Sequence, residues 1–63
     1  MPLKAIEMEK IILRDGWYLI KQVGSHRQYK HHSKKGKVTI PFHRGKDIDP
    51  RTEKSIREQA QID

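Results

Sequence analysis

The apolar positions of this chain change their spacing twice. Between Leu3 and Asp15 the residues Ala5, Met8, Ile11 and Ile12 recur at intervals of three and four, the stripe of an amphipathic helix. Gly16 follows at once and predicts the stop, because glycine accepts the left-handed conformation that closes a helix. Ile6 and Leu13 stand about a quarter-turn off that stripe and form a second strip, for the other helix or for a partner. The spacing then shortens. Trp17 to Ile20 read as a strand running toward a turn at Val23 and Gly24, and His26 to His31 read as a second strand. Ser33 to Gly36 predicts a hairpin turn into a third strand, Lys37 to Phe42, where Val38 and Ile40 alternate with Thr39 and Pro41 marks an end or an edge. Helical spacing returns at Asp49 and Pro50, a cap followed by proline at the first helical position, and the helix runs to about Ala60. Its apolar side is only Thr52, Ile56 and Ala60, so it needs a surface to lie on. Glu53 and Arg57 pair across one turn, while Arg51 and Lys54 add basic surface near its start.

The predicted class is therefore α+β, in the order helix, three antiparallel strands, helix. Both apolar stripes are covered most economically if the two helices share one face of the three-stranded sheet, which leaves the other face open. Alternation along the second strand then sorts its residues. Arg27, Tyr29 and His31 share one side, and His26, Gln28 and Lys30 share the other. With Tyr29 in the core, His26 points outward on the same face as Lys30.

Length restricts what such a fold can bury. The 63 residues make one domain, 1–63, and a domain of that size buries only about 60% of the surface of its unfolded chain. There is no cysteine, which excludes disulfides and thiolate zinc sites and fits a reducing compartment. A partner protein is the remaining staple. No apolar run reaches membrane-spanning length, and Glu7, Glu9 and Lys10 interrupt the positions from Leu3 to Leu13, so neither a span nor a signal peptide is expected. A cytoplasmic protein is the reading that follows.

Charge changes the picture further. Fourteen Lys and Arg against eight Asp and Glu give a formal net charge of +6. From Lys21 to Arg44 there is no acidic residue, and the charged or titratable nitrogen groups there are lysines, arginines and all four histidines. A polyanion is the natural partner, because cations that neutralise phosphates release condensed counterions. RNA also carries its own nucleophile, the 2′-OH, so cleavage needs a base, stabilisation of the phosphorane and help for the leaving oxygen. Histidine is the side chain suited to the first task near neutral pH, and His26 follows Gly24 and Ser25, which let a phosphate approach the backbone. Lys21, Arg27, Lys30 and Lys46 are the phosphate-binding candidates. No metal or other cofactor is called for. His31 and His32 point to opposite faces of a strand, and Asp15, Asp47, Asp49 and Glu53 are scattered or at helix ends, unlike the clustered carboxylates of two-metal nucleases. Trp17 and Tyr29 are assigned to the core.

The residues Gly16 and Trp17, the run from Gly24 to His31, the stretch Val38, Thr39, Ile40, Pro41 with His43, and Lys46, Asp47, Ile48 together resemble the HicA family of bacterial toxins over nearly the whole chain. The resemblance implies a fold like that of double-stranded-RNA-binding domains, cleavage of messenger RNA, and neutralisation by a HicB antitoxin. The family's catalytic histidine falls on His26. His43 falls where relatives often carry histidine, with no role carried over to it, and Phe42 stands where many have a polar residue or a second histidine. The expected function is thus a metal-independent endoribonuclease of a type II toxin–antitoxin system. A non-catalytic RNA-binding module of the same fold is the alternative, and a basic surface that docks an acidic protein is a third.

Overall fold

The computed structural model describes residues 3–43 and 45–62; Arg44, the last cation of the acid-free stretch, lies outside them. Helix α1 (Ala5–Arg14) is followed by strands β1 (Trp17–Val23), β2 (His26–His31) and β3 (Val38–Pro41), and by helix α2 (Pro50–Gln59). The strands form one antiparallel sheet in the order β1-β2-β3. This is the expected α-β-β-β-α architecture.

Helix α1 begins without a side-chain cap at Lys4, but the Glu7 carboxylate accepts the Lys4 backbone N–H at 2.9 Å and satisfies one orphan donor. It ends where Gly16 takes φ +106°. A side chain at Gly16 is excluded twice over, since a Cβ there would also lie 2.7 Å from the His31 ring. Helix α2 starts as its sequence predicts: the Asp49 carboxylate accepts the Arg51 N–H at 2.8 Å, with Pro50 in the first turn. The Glu53–Arg57 pair forms at 3.0 Å.

Strand β1 runs three residues further than Ile20. Lys21, Gln22 and Val23 pair with Gln28, Arg27 and His26, so hairpin hydrogen bonds extend the strand where apolar content falls. A register shift between Leu19 and Lys21 leaves Ile20 as a bulge, which twists an edge strand away from continued pairing. Strand β3 is shorter than Lys37 to Phe42 and ends at Pro41, which cannot donate to a ladder.

Both helices lie on one face of the sheet. Ala5, Met8 and Ile12 of α1, Ile56 of α2 and Ala60 at its end form one buried cluster with Trp17, Tyr29, Val38, Ile40 and Ile48. The strand residues of this cluster all occupy the helix-side positions of the register. Ile6 and Leu13 do not meet the second helix; they remain 48% and 44% exposed, which leaves the second strip of α1 uncovered.

Two polar clamps complete the packing. Glu9, on the buried side of α1, accepts hydrogen bonds from the Tyr29 hydroxyl and, at 3.0 Å, from Arg27 Nη1. Burial and the adjoining carboxylate hold the Tyr29 phenol well above its ordinary ionisation range. At the other end, Lys34 Nζ pairs with the Asp15 carboxylate and donates to the carbonyls of Ala60 and Gln61 at 3.2 and 3.1 Å. One ammonium thus sits at the C-terminal ends of both helices, where their dipoles favour a cation. His31 joins this clamp. Its Nδ1 accepts the Ser33 and Lys34 N–H groups at 3.0 and 3.2 Å, so Nε2 bears the proton donated to the Asp15 carbonyl at 2.7 Å.

Replacing Tyr29 with Phe keeps the ring and removes a donor from a buried carboxylate. The loss should be roughly 2 kcal/mol, read as a lower urea midpoint with unchanged m. The Lys34 hydrogen bond holds the Asp15 carboxyl below its ordinary value of 3.8. This contribution is complete above that value and is lost as pH falls through the lower folded-state value. Urea titrations from pH 6 downward should therefore show Asp15→Asn losing less stability than the parent on its acid limb.

Candidate nucleic-acid interface and catalytic site

The open face of the sheet is defined by register. Tyr18 lies opposite Lys30, Lys21 opposite Gln28 and Val23 opposite His26, and Thr39 and Pro41 flank Gln28 and His26 from β3. None of these residues is acidic. Lys21, His26 and Lys30 are all exposed, and His32 extends the face by stacking on Tyr18 with ring centroids 4.9 Å apart.

His26 owes its position to a two-residue hairpin loop. Val23 and His26 close the loop, and Gly24 takes φ +58° while Ser25 does not enter the positive range, the pattern of a II′ turn with glycine first. The Gln22 amide donates to the Gly24 carbonyl at 3.0 Å. On the other side, Phe42 N–H donates to the Ser25 carbonyl at 2.6 Å, extending the β2–β3 pairing past Pro41. That bond brings the next residue, His43, up to His26: the two rings stand edge to face, with centroids 6.4 Å apart and planes at 79°.

The loop bearing His43 is tied at its far end to the start of α1. Ile48 N–H donates to the Leu3 carbonyl at 2.7 Å, Lys4 and Asp47 form an isolated bridge, and their side chains pair at 3.0 Å. The Lys46 N–H turns back to the His43 carbonyl at 3.1 Å. A cleft of about 310 Å³ opens between this loop and the helix start, bordered by Lys4, Ile6, Phe42, His43 and Lys46.

The residues singled out from sequence therefore separate into groups. His26, Lys21 and Lys30 share the open sheet face, with Gly24 and Ser25 at its end. Lys46 stands apart, on the His43 loop. Arg27 lies on the opposite side of β2, where its guanidinium is held by Glu9, donates from Nε to Gln22 Oε1 at 3.0 Å, and covers the Phe42 ring at 4.1 Å from its centroid. The neighbouring carboxylate keeps its pKa raised. Its visible work is to fix Phe42, and through Phe42 the approach of His43. Sequence reasoning passed over Glu9, although it falls between Ala5, Met8 and Ile12 on the helical stripe, and left His43 without a role. Among the described residues no three His, Asp or Glu groups converge as a metal site would require.

A small basic α+β domain with exposed histidines at the rim of an acid-free sheet is the class defined by these features. Residues 5–62 match the family model described as the HicA toxin of bacterial toxin-antitoxin systems, and the chain belongs to that family. Among solved structures it is similar to a chain of a toxin–antitoxin complex from Streptococcus pneumoniae, with a TM-score of 0.80 and 27% identity over 97% of this chain and 100% of that one. No curated protein matches it. No helix among the described residues is long and apolar enough to cross a membrane.

Proposed function

We propose that this toxin is an endoribonuclease that cleaves messenger RNA without a metal cofactor, with His26 as general base. The observation that carries the proposal is the exposure of His26 on a sheet face that bears Lys21 and Lys30 and no acid. Such a face attracts the phosphate backbone, and its imidazole takes the proton of a 2′-OH brought against it. The reaction leaves a 2′,3′-cyclic phosphate and a free 5′-OH. Gly24 and Ser25 admit the phosphate at the turn, Lys21, Lys30 and Lys46 bind flanking phosphates, and Arg27 contributes by holding the framework on which they stand. Its place is the cytoplasm, where messenger RNA is translated.

The family and the toxin–antitoxin complex to which the chain is similar support a cognate inhibitor. We assign that role to a HicB-like antitoxin with an acidic surface, which neutralises the toxin by covering His26 or the basic face around it.

The test is incubation of the protein and its His26→Ala variant with labelled single-stranded RNA in EDTA, with analysis of the fragment ends. The expected outcome is cleavage to cyclic phosphate ends by the parent protein and a loss of about 100-fold or more in the variant, with RNA affinity changed by less than about threefold. Binding without cleavage by either protein would replace the nuclease with a non-catalytic RNA-binding module.

A further inference from the structure

The approach of His43 to His26 has a chemical use that a single general base does not explain. Attack by a 2′-OH on the adjacent phosphorus expels the 5′-oxygen, a poor leaving group unless a proton reaches it. Base and acid must stand on opposite sides of the phosphorus, because the entering and leaving oxygens lie in line. Two imidazoles with centroids 6.4 Å apart are close enough for one phosphoryl group at their shared rim to accept a bond from each.

Resting on the ribonuclease reading above, we propose that His43 is the general acid of this site, with His26 and His43 forming an acid–base pair across the scissile phosphate. His26 takes the 2′-OH proton as O2′ bonds to phosphorus. The P–O5′ bond breaks as the His43 imidazolium gives its proton to O5′, yielding the cyclic phosphate and the 5′-OH. Exchange with solvent then removes the proton from His26 and returns one to His43, so no other reactant is needed.

Three features of the fold support this division. His43 follows a held residue and is itself hydrogen-bonded: Phe42 is bonded to Ser25, the residue before His26, and lies under Arg27, the Lys46 N–H donates to the His43 carbonyl, and the Lys4–Asp47 bridge stands beside Lys46. His43 is exposed, and among the described residues its imidazole makes none of the hydrogen bonds that occupy His31. It also borders the cleft walled by Lys4, Phe42 and Lys46, which His26 does not line. The nucleoside that leaves with O5′ enters this cleft, and the nucleotide supplying the 2′-OH rests on the sheet beside Gln28 and Lys30.

The pair is tested with two RNA substrates, one natural and one in which sulfur replaces the bridging 5′-oxygen at the cleavage site. A thiolate departs without protonation, so only loss of the base should matter for the second substrate. His43→Ala and His43→Gln should cut the natural linkage about 100-fold or more slowly yet cut the sulfur linkage within about fivefold of the parent rate, whereas His26→Ala should fail on both. Equal impairment of the His43 variants on both substrates, or impairment on neither, would overturn the assignment, as would rescue of His26→Ala instead. If the parent protein cleaves neither RNA, the ribonuclease reading falls and this inference falls with it.

Discussion

The carboxylate of Glu9 is the interaction on which this small structure turns. It is nearly inaccessible to water, and a buried carboxylate is tolerated only when charge and hydrogen bonds compensate its lost hydration. Arg27 and Tyr29 supply both. These two partners stand two residues apart on the central strand, so one acid sets the height and rotation of α1 against the sheet. Arg27 passes the constraint on by covering Phe42, whose N–H is bonded to Ser25. A helix residue thereby governs the spacing of two histidines that it does not touch.

That chain of contacts explains why so thin a core can hold a site. Among the described residues apolar burial amounts to ten side chains from five elements and the segments beside them, and the hairpin tip bearing Gly24 and Ser25 is not one of those segments. Polar clamps do the positioning instead. At one end Glu9, Arg27 and Phe42 hold the histidine pair, and at the other Lys34 ties both helix ends to the loop between β2 and β3. Such clamps are directional, whereas apolar contact is not, and holding two side chains at a set spacing needs direction more than bulk.

Most of the fold was legible from local rules. The Asp49–Pro50 start, the Gly16 stop and the alternation through Val38 and Ile40 each depend on neighbours in sequence, and each forms as those neighbours dictate. The side assigned to His26 also followed, because period two leaves no choice once Tyr29 is buried. The same rule placed Arg27 on the helix side, which conflicts with its free use on RNA, but its partner Glu9 is eighteen residues away and no local pattern joins them. The approach of His43 to His26 was hidden for the same reason: it arises from strand pairing and from a loop fastened to the chain's first described residues. His26 was legible from its place after Gly24 and Ser25 and from the family resemblance, whereas the approach of His43 appears only in the folded chain.

In the function proposed for this toxin, RNA lies across the open sheet face, between the hairpin tip and the His43 loop. The direct measurement is amide and imidazole chemical-shift mapping of the labelled protein with a short single-stranded RNA in which 2′-O-methyl groups prevent cleavage. Shifts should concentrate at His26, Gln28, Lys30, His43 and Lys46, with Lys10, Leu13 and Lys54 on the helices unmoved. Shifts confined to the helical side, with both His26 and His43 unchanged at saturation, would contradict it.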